Sequence, residues 1–322
     1  MTLWYAFNGD ADGLCALQQL RLADAREAKL VTGVKRDIQL LRRIDAAAGD
    51  EITVLDVSLD QNRDALLRLL DTGASVRYFD HHHAGELPRH ARFECHIDEA
   101  ADVCSSILVD RHLGGRFRAW ALVAAFGDGL PGAGHALARS LDIDGETCGQ
   151  LQQLGICLNY NAYGETISDL HVDPAELAAR MLPFAHPLDF IRTSDVPARL
   201  AAGYEDDMRR ARALAPARSI PGATLVLLPG EPWARRVMGV FANDLRQEQP
   251  DNALALLSPK ASGGFAVSVR VSERSAVGAD EFCRGFETGG GRRLAAGINH
   301  LPPADVEHFT ACFEAQYRLP SH

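Results

Sequence analysis

Along the N-terminal third of the chain, short apolar runs alternate with helical patterns. Leu3-Trp4-Tyr5-Ala6-Phe7 is apolar throughout and ends at the polar stretch Asn8-Gly9-Asp10-Ala11-Asp12-Gly13. A helical pattern then runs from Leu14 to about Ala28, and Leu30 to Gly33 predicts a brief strand. The segment Asp37 to Ala48 predicts a helix with Ile38, Leu41 and Ile44 on one face. Ile52 to Val57 predicts a buried strand, and Asp60 caps a helix reaching Asp71, where Thr72-Gly73 stops it. Val76 to Phe79 predicts another strand, ending at Asp80-His81-His82-His83. Strands that are apolar on both faces and separated by helices imply a parallel sheet covered on both sides.

From Val103 to about Leu182 the spacing of leucine and alanine is helical, with breaks at Gly114-Gly115, at Gly127-Asp128-Gly129 and from Asn159 to Gly164. Pro183, Pro187 and Pro197 mark a transition, and Ala198 to Leu214 reads as a charged helix suited to a linker. A new unit begins near Ser219, with strands at Ala223–Leu228, Ala253–Leu257 and Phe265–Val271 and a helix at Trp233–Arg246. Gly289-Gly290-Gly291-Arg292-Arg293-Leu294-Ala295-Ala296-Gly297 reads as a glycine-rich turn, followed by a helix from Pro303 to about Tyr317. The expected architecture is α/β: a parallel-sheet N-terminal domain over residues 1–185, a helical linker over 186–217, and a smaller α/β domain over 218–322. A length of 322 residues fits two domains at roughly 150 residues each.

Composition narrows the function classes. The chain is 47% hydrophobic and 24% charged, as in globular proteins, which excludes disordered and collagen-like classes. No apolar run approaches the roughly 20 residues of a membrane helix, and the N-terminus has no basic region leading into an apolar core. The 7 cysteines are scattered without a C-x-x-C pair, so neither a disulfide framework nor structural zinc is expected, and a cytoplasmic location is. The net charge of −10 argues against coating of long nucleic acid.

The candidate chemistry lies at the ends of predicted strands, where ligands bind in open parallel sheets. Asp10 and Asp12 follow the first strand, Asp56 ends a central one, and Asp80, His81 and His82 end the next. Asp128 sits between two glycines after an apolar helix. Any one of these aspartates alone is an ordinary cap or turn residue; their joint occurrence points to a metal centre. Mixed carboxylate and imidazole ligands suit Mn²⁺, with harder Mg²⁺ as the alternative. Carboxylates in this number can hold two ions about 3.5–4 Å apart, the arrangement that activates water for in-line attack on a phosphoester.

These motifs, in this order, resemble those of the DHH phosphoesterase superfamily. The C-terminal glycine run resembles the signature of the DHH-associated substrate-binding domain. The resemblance spans nearly the whole chain and implies two α/β domains with a cleft between them. It implies Asp10, Asp12, Asp56, His81 and Asp128 as metal ligands, with Asp56 bridging and catalytic. His82 becomes the phosphate-contacting catalytic residue, and Asp80 orients a histidine. Three positions depart from the pattern, one of them Arg292, which stands where the glycine signature often carries a histidine. Ala6 stands where many nano-RNase relatives carry a histidine, and Asn8 where exonuclease relatives carry an aspartate. One metal site therefore lacks a ligand or uses Asn8 weakly.

For the substrate, the glycines Gly289, Gly290 and Gly291 can turn backbone N–H groups toward an anion. Arg292 and Arg270 supply guanidinium forks for phosphate. Asn159-Tyr160-Asn161-Ala162-Tyr163-Gly164 either faces a base or is a plain helix-terminating loop. The expected activity is Mn²⁺-dependent hydrolysis of linear dinucleotides or nanoRNA to mononucleotides. The alternatives are a single-strand exonuclease on longer strands and a non-catalytic nucleotide sensor. The expected partner is a short RNA or dinucleotide, with no long nucleic acid and no membrane; a homodimer is left open.

Overall fold

The structure is a computed structural model and describes residues 1–319. It resolves into two compact units, Met1–Gly203 and Tyr204–His322. The first begins with β1 (Leu3–Phe7), α1 (Ala11–Ala23), β2 (Lys29–Val31), β3 (Glu51–Leu55), α2 (Leu59–Asp71), β4 (Ser75–Asp80) and β5 (Phe93–Ile97). The strands form one fully parallel sheet in the order β2-β1-β3-β4-β5. Alternate strand residues face opposite sides. Trp4, Ala6, Ile52, Val54, Val76 and Tyr78 pack with Leu59, Leu66, Leu69 and Leu70 of α2 into one core. The other side is covered by α1 and by α3 (Ser105–His112).

Further helices follow: α4 (Arg118–Gly127), α5 (Pro131–Ser140), α6 (Gly145–Asn161), α7 (Pro174–Met181), α8 (Pro187–Thr193) and α9 (Asp195–Arg212). The boundary between the units falls within α9. Among the described residues, no helix is long and apolar enough to cross a membrane.

Three local expectations are corrected. The segment from Asp37 to Ala48 holds only one 3-10 turn, Leu40–Arg43. Its backbone is satisfied from α2 instead: Asn62 accepts from the Leu41 N–H and donates to the Ile38 carbonyl, and Arg68 donates to the carbonyls of Leu41 and Ile44. Leu40, Leu41 and Ile44 reach the core, whereas Ile38 is exposed. The cap of α2 is Ser58, whose hydroxyl accepts from the Gln61 N–H, and Asp60 lies inside the first turn. The edge strand β5 has no counterpart among the strands that the apolar pattern predicts.

The second unit contains β6 (Arg218–Ile220), β7 (Ala223–Leu227), α10 (Pro232–Glu248), β8 (Ala253–Pro259), β9 (Phe265–Arg270), α11 (Ala279–Cys283), β10 (Gly289–Arg292), β11 (Ala295–Leu301) and α12 (Val306–Tyr317). Its sheet runs β10-β11-β9-β8-β7-β6, with β7 and β8 parallel and the remaining pairs antiparallel. Val267, Val269, Ala296 and Ile298 face a core shared with Cys283 of α11 and with Phe309, Phe313 and Tyr317 of α12. The glycine run is therefore not a turn. It is strand β10, paired with β11 across Arg293-Leu294. A Cβ on Gly289 would stand 1.7 Å from the Cys283 carbonyl oxygen, so only glycine lets α11 lie this close to the strand.

Candidate functional site

In the first unit the carboxyl ends of β1, β3 and β4 deliver the expected cluster. The turn after β1 is set by Asp10, which caps α1 by accepting from the N–H groups of Asp12 and Gly13, each at 3.1 Å. A Cβ at Gly13 would lie 2.1 Å from the Asn8 carbonyl oxygen, which is why the loop closes on glycine. Asp12 reaches across to α3 and accepts from the N–H groups of Ser105 and Ser106, both at 2.7 Å. Its carboxylate thus holds the free amides at that helix start, and each oxygen keeps one further lone pair. Asp56 follows β3 in left-handed backbone, with φ of 56°, a conformation aspartate tolerates better than most residues. Asp128 caps the end of α4.

These groups meet in one place. His81 Nε2 lies 3.4 Å from Asp56 Oδ1 and 3.6 Å from Asp128 Oδ2. His82 Nδ1 lies 2.7 Å from Asp80 Oδ1 and 3.9 Å from Asp56 Oδ1. The Ser105 hydroxyl stands 3.4 Å from the same Asp56 oxygen. Asp56, His81 and His82 offer ligand atoms within 4.8 Å of one another. Asp80 is fully buried and also accepts from the His81 N–H at 2.9 Å, which fixes both histidines. Its Oδ2 and the Oδ1 of Asn8 are buried without a hydrogen-bond partner. Ala6 lies in the apolar core on the α2 side and has no ligand atom to offer.

Lys35 joins the cluster without any signal in the sequence. From the loop after β2, its ammonium bonds Asp10 Oδ2, lies 3.2 Å from Asn159 Oδ1 and 3.9 Å from Asp128 Oδ1, and sits 5.7 Å from the centre of the Tyr163 ring. Its own N–H bonds the Ala162 carbonyl at 2.9 Å. Asn159 and Tyr163 therefore border the cluster. Tyr160 and Asn161 are occupied elsewhere: Tyr160 bonds His171, and Asn161 bonds the backbone of His171 and Val172.

The electrostatics follow from burying acids together. Burial, then the charges of Asp10, Asp12 and Asp128, push the Asp56 carboxyl well above the usual range. Burial raises Asp128 to about 6, with Lys35 opposing the rise and Asp12 and Asp10 adding to it. Burial also opposes the charge on Asp10, but Lys35 outweighs it and holds Asp10 below the usual value. Burial would lower His82, yet the bond to Asp80 leaves it raised. A divalent cation bound here would offset this gathering of acids. The sequence suggests Asp10, Asp12, Asp56, His81 and Asp128 for such an ion, and Asp56, His81 and His82 are the residues whose ligand atoms lie together.

In the second unit, Arg270 of β9, Ala295 of β11 and Arg292 of β10 are register partners, so they form one row on one face. At about 4.8 Å per strand, the two arginines start roughly 10 Å apart. The next row on that face is Ser268, Gly297 and Gly290. The result is a floor of small residues flanked by two guanidinium groups. Arg270 is held by Asn243 Oδ1 at 2.8 Å and Ser268 Oγ at 2.9 Å, while Arg292 is exposed.

Solved structures share this architecture. Exonuclease RecJ bound to manganese matches 98% of this chain and 89% of its own, at 18% identity and a TM-score of 0.62. RecJ with Mn²⁺ from Thermus thermophilus matches at 19% identity and a TM-score of 0.64, and this chain spans 51% of that longer protein. PggH from Vibrio cholerae, a pGpG-specific phosphodiesterase, matches 98% of this chain and 99% of its own, at 13% identity and a TM-score of 0.51. The chain thus has the fold of the RecJ and PggH structures. No family model matches the sequence, and no curated protein is significantly similar to it. Within this fold, the carboxyl ends of β1, β3 and β4 gather Asp10, Asp12, Asp56, Asp80, His81 and His82.

Proposed function

We propose that the protein is a divalent-metal-dependent phosphodiesterase that hydrolyses linear dinucleotides and other very short RNA fragments to mononucleotides. The observation that carries this reading is the convergence of Asp10, Asp12, Asp56, Asp128, His81 and His82 from separate segments onto one cluster, in a fold shared with RecJ and PggH.

Asp10, Asp12, Asp56, His81 and Asp128 would hold the metal, Asp56 lying 3.4 Å from His81 and 3.9 Å from His82. We assign Mn²⁺ because oxygen and imidazole donors are mixed, and two ions because the carboxylates are this numerous. A divalent ion bound there stabilises charge on the phosphoryl oxygens and lowers the pKa of water. In hydrolysis, water adds to phosphorus and releases a proton to solvent, the bond to the leaving ribose oxygen breaks, and that oxygen takes a proton. His82 donates it: Nδ1–H is committed to Asp80, which supports the imidazolium and leaves Nε2–H to the leaving group. Lys35 neutralises Asp10 and fixes it against Asn159. Arg270 and Arg292 anchor substrate phosphate, and the floor of Gly290, Gly297 and Ala295 lets a nucleotide approach the sheet. The chain's net charge of −10 favours a short ligand over a long strand.

The test is release of mononucleotides from a linear dinucleotide with and without Mn²⁺, run beside Asp56→Asn. Asparagine tolerates the left-handed backbone at this position. Manganese-dependent release that is lost in the variant supports the assignment; substantial activity in Asp56→Asn removes Asp56 from it. The exonuclease reading draws on the higher TM-scores to RecJ, 0.62 and 0.64 against 0.51 for PggH.

A further inference from the structure

Outside the acidic cluster, among the described residues, one other group of side chains offers metal ligands at coordination distances. Glu94, His96 and His112 place ligand atoms within 4.8 Å of one another. We infer that these three residues form a second metal site, of the type that takes Zn²⁺, on the outer edge of the parallel sheet.

The local structure explains why they meet. Glu94 and His96 are two apart on β5, so both side chains stand on the same face. β5 is the edge strand, and Glu94 on it is exposed. His112 ends α3, the helix lying on this side of the sheet. The register pairs Arg77 with Glu94 and Phe79 with His96.

Each ligand is already oriented. The Phe79 ring stacks on His96 with centroids 4.5 Å apart and planes 6° from parallel. It meets His112 edge-on at 5.3 Å. The two imidazoles lie 5.0 Å apart at 68°, an arrangement in which two rings can share one ion. Glu94 Oε1 lies 2.8 Å from His96 Nε2, while Arg77 Nε holds the other carboxylate oxygen at 2.9 Å. That leaves Oε1 as the ligand and gives the carboxylate the outer partner that metal-bound carboxylates usually have. Glu94 and His112 also line an open cavity of about 490 Å³, which gives an ion and a completing water access.

Two imidazoles and one carboxylate form a three-ligand set that Zn²⁺ takes readily. It is poorer in oxygen than the acidic cluster, so the two sites differ in preference. An ion here ties β5 to the last turn of α3. The first turn of that helix carries the Ser105 and Ser106 amides that hold Asp12.

The experiment measures bound zinc by equilibrium dialysis of the full-length protein with ZnCl₂, for wild type, His112→Ala and Glu94→Gln. All three are melted in EDTA and in ZnCl₂. Both substituted side chains are exposed, so matching melting points in EDTA are expected. Wild type binds one equivalent more than either variant, and zinc raises its melting point by a margin that both variants lose. Equal zinc equivalents in all three proteins would overturn the inference, as would a zinc-induced rise that survives both substitutions.

Discussion

Asp128→Asn is a substitution that should damage function and improve stability together. In the metal-free protein, burial and the neighbouring charges of Asp12 and Asp10 raise the Asp128 carboxyl from 3.8 to about 6, even with Lys35 opposing. At 1.36 kcal/mol per pKa unit, ionising it in the fold costs about 3 kcal/mol. The side chain is only 18% exposed, so solvent screens little of this. The folded state holds the proton more tightly than the unfolded state. Stability therefore falls as pH rises from 3.8 through about 6, and the full cost applies above that. Asparagine removes the charge and keeps the shape. With chelator at pH 7.5 the variant should melt on the order of 6–12 °C higher than wild type, taking roughly 2–4 °C per kcal/mol. Near pH 4 the two should coincide. Added Mn²⁺ should raise wild type and leave the variant nearly unmoved, since stabilisation by a ligand scales with its affinity for the fold. Thermal unfolding from pH 4 to 8, with EDTA and with Mn²⁺, is the assay. A variant no more stable than wild type in EDTA at pH 7.5, or a difference that ignores pH, would refute the reasoning.

The neighbouring acid should behave oppositely. Asp12→Asn replaces one carboxylate oxygen that holds the α3 amides, so it should destabilise the chelated protein by about 1.5–3 kcal/mol, read by denaturant unfolding. His82→Gln should lower kcat by roughly 10²–10⁴-fold while leaving manganese affinity intact. Wild-type rate should fall as pH rises through the pKa of His82, which burial lowers but Asp80 raises, and the variant should lack that limb of the profile. Gly290→Val meets nothing within 4 Å of its new Cβ, so the fold should tolerate it. It fills the floor between Arg270 and Arg292 and should raise KM for a dinucleotide with little change in melting point; unchanged KM would detach that surface from the substrate.

Those parts of the fold were legible in the sequence whose signal is local. β1 is buried throughout and β3 nearly so, both read as apolar runs with an aspartate soon after, and β4, though Ser75 and Arg77 are exposed, closes on the buried Tyr78-Phe79-Asp80. β5 was not legible because an edge strand need not be apolar: Phe93-Glu94-Cys95-His96-Ile97 is half-exposed and carries the ligands of the inferred zinc site. The segment from Asp37 to Ala48 has helical spacing, but one 3-10 turn brings Leu40, Leu41 and Ile44 inward equally well once Asn62 and Arg68 satisfy its backbone. At the candidate site, Asp10, Asp12, Asp56, Asp80, His81, His82 and Asp128 stood at strand or helix ends and could be named. Lys35 could not. It reaches Asp10 and Asn159 only through tertiary packing, and a lysine after a short strand carries no signature. The same holds for Ser105 and Ser106, whose backbone rather than side chains bind Asp12.

The most direct test of the central claim is hydrolysis of a 5′-labelled RNA series from dinucleotide to about 24-mer, with Mn²⁺ and with EDTA. Turnover that requires Mn²⁺ and declines steeply beyond a few nucleotides is the predicted result, in line with a substrate too short to collect counterion-driven affinity. Degradation of long and short strands at equal rates would contradict the short-substrate assignment, and undiminished turnover in EDTA would contradict the metal centre.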